Sequence, residues 1–255
     1  MPSPAQTLSL SVSHHFRPRV NSTRASVVMD QFGIDFEQGE HIIARDLQFS
    51  VQPGSVVLFT GESGSGKSSL LRSAAEQLKA AGARVISLAD LTLDDRCLVD
   101  LLPGAVADGL ALLAACGLGE AQLMLRTPSE LSDGQRYRFL LALAVSQQAD
   151  WIVADEFTAT LDRRLARVIA SNLSRLANRT GIGFLLVTTH EDIVDDLAAD
   201  VHIRCRLDGE IEVTTSDGDL KKKRCGSPTS SGSPPRPSPT GRTSLGGIIA
   251  ATASG

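Results

Sequence analysis

Apolar and polar positions follow two alternating periods through the middle of the chain. Residues 56–60, 84–88, 151–155 and 184–189 are short runs rich in β-branched and apolar side chains, the pattern of strands buried on both faces. Between these runs apolar residues recur every three or four positions, as on one face of a helix. The clearest case follows Asp162, where Leu165, Val168, Ile169, Leu173 and Leu176 recur at helical spacing. Asp162 is placed to cap that helix, and Gly181 lies just past its end. Strands alternating with helices predict an α/β fold, a mostly parallel sheet with flanking helices. Its margins read as an antiparallel β edge. Leu47, Phe49 and Val51 alternate before a Pro53-Gly54 turn, and residues 202–213 read as a hairpin around Asp208-Gly209.

Both ends depart from this pattern. Residues 1–24 mix Pro, Ser, Thr and His without a clear period and read as a disordered leader, with the fold beginning near Ser26. After about Ser216 come Lys221, Lys222, Lys223 and Arg224, then a Pro-, Ser- and Gly-rich stretch. Such a composition buries too little apolar surface to offset the entropy of ordering, so 216–255 reads as a disordered tail. The folded domain is therefore expected over 25–215, with a short helical subdomain at about 91–149.

Composition narrows the classes. The 255 residues are 42% hydrophobic and 21% charged, enough for a sizeable core. Lys and Arg number 25 against 29 Asp and Glu, so no chain-wide positive field is available to neutralise nucleic-acid phosphates. The apolar runs fall short of the ~20 residues that span a bilayer. Residues 1–20 lack the continuous apolar stretch of a secretory signal, so the expected location is cytoplasmic. Four cysteines, Cys97, Cys116, Cys205 and Cys225, are scattered without a C-x-x-C pair, which argues against a zinc site or a disulfide framework.

The chemistry begins at Gly61-Glu62-Ser63-Gly64-Ser65-Gly66-Lys67-Ser68, which matches G-x-x-x-x-G-K-[ST] directly after a predicted strand and runs into a helical pattern through Ser69. Glycines let such a loop wrap a phosphate chain with backbone N–H groups and a helix N-terminus facing the anion. Lys67 is placed to reach the β- and γ-phosphates, and the Ser68 hydroxyl is a hard oxygen ligand for Mg²⁺. The fold class is thus a P-loop NTPase. Residues 151–154 lead into two adjacent carboxylates at the carboxyl end of a strand, where parallel sheets deliver ligands. Asp155 would hold Mg²⁺, while Glu156 would orient or deprotonate the water that attacks the γ-phosphate.

Leu131-Ser132-Asp133-Gly134-Gln135 heads an apolar helix containing Phe139, Leu140, Leu143 and Ala144. Read locally, Ser132 and Gln135 make an S-x-x-Q capping box. In this context the segment also resembles the L-S-G-G-Q signature of the ATP-binding-cassette (ABC) class, with Asp133 in place of one glycine. The resemblance runs from about Val27 to Val213 and rests on several motifs in the expected order. It implies that Thr158-Ala159-Thr160-Leu161-Asp162 is the D-loop, with Asp162 communicating across a dimer interface. It further implies that His190 is a switch histidine at the γ-phosphate, and that an upstream aromatic, Phe36 or Phe32, stacks on adenine. In this class two cassettes close head to tail, so each ATP lies between the phosphate loop of one copy and the signature of the other. The resemblance therefore implies ATP hydrolysis to ADP and phosphate, with Mg²⁺, in an ATP-dependent homodimer.

Two departures bear on the partner. Only 64 positions separate Lys67 from Leu131, which is short for a transporter cassette. No glutamine follows the strand at 84–88 as a Q-loop should. Gln77 lies in the first helix and Gln122 near the signature, whereas Asp90, Asp94 and Asp95 occupy the region. Residues 118–138 look most like small cassette ATPases linked to predicted acetyltransferase domains. These features favour a switch acting on a soluble partner, an acetyltransferase or a nucleic-acid complex, over the alternative of a transporter's nucleotide-binding subunit with a membrane permease.

Overall fold

A computed structural model describes residues 5–15, 22–33, 40–157, 161–216 and 220–224, the last as backbone. The described chain begins with β1 (Gln6–His15), α1 (Thr23–Phe32), β2 (Glu40–Val51), β3 (Val56–Gly61), α2 (Lys67–Ala80) and β4 (Val85–Ser87). Four helices follow: α3 (Leu98–Leu101), α4 (Val106–Ala115), α5 (Ala121–Met124) and α6 (Asp133–Ser146). The remainder is β5 (Trp151–Ala154), α7 (Arg163–Thr180), β6 (Gly183–Val187), α8 (Val194–Leu197), β7 (Val201–Cys205), β8 (Glu210–Thr215) and β9 (Leu220–Arg224).

Seven strands form one sheet in the order β4-β5-β6-β3-β7-β8-β9. From β4 to β7 neighbours are parallel, and β8 and β9 add antiparallel. Side chains alternate across the pleat, so each central strand feeds two cores. Leu58, Ala154 and Leu186 pack with Leu113 of α4, Phe139 of α6 and Ile169 of α7 on one face. Val57, Phe59, Leu185 and Ile203 meet Leu70, Leu71 and Leu78 of α2 on the other, together with the separate β1–β2 sheet.

The helix expected after Asp162 forms as read. The Asp162 carboxylate accepts the Leu165 N–H at 3.0 Å, and Gly181 ends the helix in the left-handed region at φ 73°. The four central strands and the hairpin also fall where the pattern places them, within a residue or two at their ends, whereas β2 begins at Glu40, seven residues before the alternation read from Leu47.

The ends differ from expectation. Residues 6–15, read as a disordered leader, form β1, paired antiparallel with β2 from Gln6 opposite Val51 to His15 opposite Glu40. Leu8 and Leu10 are fully buried in the second core. Gln77 of α2 fastens the strand, its side-chain oxygen accepting from Ser9 N and its amide donating to Ser9 O. The physical reason is tertiary: a short strand with two apolar residues becomes stable only against a partner some 40 residues away. At the other end the Lys221–Arg224 cluster, read as part of the tail, lies on β9 beside β8. Cys225 and the Pro- and Ser-rich stretch lie outside the described residues.

Truncating Leu10 tests the first strand as core. Leu10→Ala is expected to cost roughly 2–5 kcal/mol, as for other buried leucines, measured by the midpoint of denaturant unfolding. A variant as stable as the wild type would place β1 outside the cooperative core.

Candidate functional site

Residues 61–66 leave β3 at the centre of the sheet and enter α2, at the carboxyl edge where parallel strands deliver their loops. Glycine is required here for two distinct reasons. A Cβ on Gly61 would lie 1.9 Å from the Cys205 carbonyl oxygen of β7, so the loop starts under backbone that leaves no room for a side chain. Gly66 caps α2 in the left-handed region at φ 89°. The Ser65 hydroxyl is buried without a hydrogen-bond partner inside the loop, which fits a loop built to contact an oxygen-rich group. Lys67 is buried and folds back on its own loop, Nζ donating to the Glu62 carbonyl at 2.6 Å.

The two carboxylates are delivered by β5. Asp155 Oδ1 accepts from Ser68 Oγ at 3.1 Å, bringing together two hard oxygen groups from different elements. Such a pair fits Mg²⁺, which takes one or two protein oxygens and completes its octahedron with phosphate and water. Glu156 has φ 54°, a left-handed conformation that costs a non-glycine residue energy and therefore marks a tightly determined turn. The turn is fixed by the Phe157 N–H, which donates to Val187 O at 2.7 Å and sends the Phe157 ring into the core. Glu156 stays exposed at the edge.

Most of the loop and both carboxylates line one cavity of about 420 Å³, within the range of small-ligand sites, whereas Gly61, Glu62 and Ser65 do not line it. Ser63, Gly64 and Gly66 to Ser69 form one wall, and Asp155, Glu156, Thr188 and Thr189 the other. Two histidines complete it. His14 of β1 and His41 of β2 face each other across the strand register, and His14 Nε2 is 3.1 Å from Ser69 Oγ. Sequence reasoning missed both, because they belong to the segment read as a leader and to a strand pattern noticed only from Leu47 onward. Of the two aromatics proposed for adenine, only Phe32 is among the described residues. Phe32 ends α1 with 71% of its surface exposed and does not line the cavity, and Phe36 lies outside the described residues.

Other predicted residues lie away from the cavity. The signature begins α6 with the capping box expected of it: Ser132 Oγ accepts from Gln135 N at 3.3 Å, and Gln135 Oε1 accepts from Ser132 N at 3.0 Å. Leu131, Asp133 and Gly134 accompany them, and none of the five lines the cavity. His190 is exposed beyond β6, with its backbone N–H donating to Thr188 Oγ1 at 3.0 Å, and does not line the cavity either. Thr158, Ala159 and Thr160 lie outside the described residues. Two of the carboxylates expected in place of a Q-loop are engaged elsewhere: Asp94 pairs with Arg96 at 3.0 Å, and Asp95 accepts from Ser129 Oγ at 3.0 Å. Neither these nor Asp90 reaches the cavity.

Burial sets the surrounding titration. The Cys205 thiol, behind the loop, is pushed up to about 12 by burial, against a smaller opposing pull from the Lys67 charge. Cys116 is likewise raised to about 12 by burial. Tyr137 of α6 has its hydroxyl buried without a partner, and burial, with the Asp155 charge, raises its pKa strongly. Its ring lies 6.3 Å from that of Phe157, joining the signature helix to the end of β5.

Comparison with known proteins accords with this geometry. A family model described as AAA domain matches residues 51–195, more than half of the chain, and the chain belongs to that family. It is an ABC-class P-loop ATPase, an enzyme that hydrolyses ATP. The lipoprotein-releasing system ATP-binding protein LolD of Pseudomonas syringae pv. tomato is 29% identical over 205 residues, covering 66% of this chain and 89% of the relative. The zinc import ATP-binding protein ZnuC of Roseobacter denitrificans is 26% identical, covering 72% and 76%. The dimeric structure of MJ0796, a bacterial ABC transporter cassette, superposes with a TM-score of 0.56 at 22% identity over 71% of this chain and 94% of that one, a likeness of fold.

Two measurements follow from the packing. Gly61→Ala is expected to abolish ATP binding and lower the melting temperature, because the new methyl meets backbone; unchanged affinity would displace Gly61 from the loop's tight start. In native protein at pH 8, Cys116 and Cys205 are expected to resist iodoacetamide until unfolding, since thiolate is the reactive species. Mass spectrometry reads the labelling, and rapid modification of either thiol would contradict its burial.

Proposed function

We propose that the chain is the ATP-hydrolysing, nucleotide-binding subunit of a transport assembly, acting as a homodimer whose two copies close head to tail around ATP. The observation that supports it most directly is the divided site. The phosphate loop with Asp155 and Glu156 shares one cavity, whereas the signature lies outside it. A signature from a second copy would supply what is missing. The relatives named above are themselves ATP-binding components of lipoprotein release and zinc import. Among the described residues no helix is long and apolar enough to cross a membrane, so membrane contact would come through a permease partner. A cytoplasmic location remains part of this reading.

In this reading residues 61–69 bind the triphosphate, with backbone N–H groups and the α2 N-terminus turned toward it. Lys67 leaves the Glu62 carbonyl for the β- and γ-phosphates. Ser68 and Asp155 would hold Mg²⁺, which would supply positive charge to the phosphate oxygens. Glu156 takes the proton of the attacking water, and His190 completes the γ-phosphate contacts once its loop approaches. Leu131, Ser132, Asp133, Gly134 and Gln135 of the second copy aim the N-terminus of α6 at the same phosphate. Asp162 sits at the facing edge, beside the partner copy.

A soluble partner is the second reading. It is favoured by the lack of a glutamine after β4 and by a helical region in which α3 and α5 are single turns. The link to acetyltransferases rests on the resemblance of residues 118–138 alone. Glu156→Gln tests both the chemistry and the partner. Turnover is expected to fall about 100-fold or more with ATP affinity retained, and an ATP-bound dimer should appear on size exclusion. Full turnover would remove Glu156 from its role. Capture of the trapped dimer with an integral membrane protein supports the transport reading; capture of a soluble enzyme or nucleic acid would replace it.

A further inference from the structure

The loop that carries His190 is held by side chains from two other elements. Arg163, the first residue of α7, donates from Nε to Asp192 Oδ2 at 2.5 Å. From β7, Arg204 forks onto Glu191, with Nε to Oε1 at 3.0 Å and Nη2 to Oε2 at 2.6 Å. The bidentate form fixes direction as well as distance. The third hold is the Thr188 hydroxyl on the His190 backbone N–H. The two residues that follow His190 and its own backbone N–H are thus fastened, while the residue itself stays exposed.

The pairing from α7 is also in register. Arg163 and Arg167 lie one helical turn apart and meet Asp192 and Asp196, which are spaced by the same four residues, the second pair at 2.6 Å. Arg163 exposes 78% of its side chain, and exposed ion pairs contribute little to folding. What the pair does provide is geometry. It joins the loops that leave two neighbouring parallel strands, β5 and β6, and it does so one residue after Asp162 and two residues after His190.

We propose that Arg163 and Asp192 are positioning residues for ATP hydrolysis, a strut through which the start of α7 sets the location of His190. The inference rests on the reading of His190 as a γ-phosphate contact. Movement at the Asp162 edge, as when a second copy docks there, is then carried to the His190 loop, and Arg204 supplies the fixed side against which the loop turns. Arg167, one turn further along α7, grips Asp196 of α8 instead and lies farther from His190, which makes it a control for the same kind of ion pair outside the His190 loop.

Steady-state ATPase of the full chain separates this from general stability. Arg163→Ala and the isosteric Asp192→Asn are each expected to lower kcat roughly tenfold or more, as small misplacements of reacting groups do, with KM for ATP unchanged. Arg163→Lys should recover part of the rate, and Arg167→Ala should stay near wild type. In a His190→Ala background Arg163→Ala should add no further loss, because the strut then has nothing to position. Wild-type kcat in Arg163→Ala and Asp192→Asn, an equal loss in Arg167→Ala, or a full additional loss without His190 would each overturn the proposal. If His190→Ala alone keeps full turnover, the reading of His190 falls and the strut with it; if His190→Ala loses turnover and Arg163→Ala does not, the strut alone falls.

Discussion

The hydrogen bond from the Ser68 hydroxyl to Asp155 joins two halves of the site that the chain supplies 87 residues apart. It can form only because β3 and β5 flank β6 in a parallel sheet and end at the same edge. That edge is where α2 turns toward one face of the sheet while α7 covers the other. A crevice between diverging loops is the general ligand position in such sheets. The loop glycines, the buried Lys67 and the left-handed turn at Glu156 make sense around that crevice.

The close approach of Gly61 to β7 adds rigidity from behind. Electrostatic stabilisation of a phosphoryl group needs donors already in place, since reorganisation during reaction would cancel the gain. The loop is accordingly fixed by backbone contact on one side and by the packed face of α2 on the other. By contrast, the exposed start of α6 is held by its capping box and the His190 loop by ion pairs, while the rest of α6 is packed into the core. Tyr137 against Phe157 is the one aromatic contact between the signature helix and the turn that carries Glu156 among the described residues.

The absent Q-loop and the two histidines are the clearest departures from the pattern the motifs imply. Of the carboxylates in the region after β4, Asp94 pairs with Arg96 and Asp95 accepts from Ser129, 34 residues on, so the segment is tied to the turn before α6 and does not reach into the site. His14 and His41 instead reach the cavity from the β1–β2 sheet, which the second core fastens over α2. The front of the site therefore depends on a strand whose stability is wholly tertiary.

What the sequence determined by itself was everything encoded in contiguous residues. The phosphate loop is eight consecutive positions whose glycines, lysine and serine have a single chemical reading after a strand and before a helix. Asp155-Glu156 and the caps at Asp162, Gly181 and Ser132 are likewise local, because a helix end or strand end is decided within one turn of chain. The tertiary structure alone decided β1, where Leu8 and Leu10 carry too little apolar surface to declare a strand without β2 and α2 beside them. It alone decided which aromatic or imidazole reaches the cavity, placing His14 and His41 there and leaving Phe32 in solvent. The same holds for the Arg163–Asp192 and Arg204–Glu191 pairs, since charged side chains far apart in sequence give no signal until the sheet brings their loops to one edge.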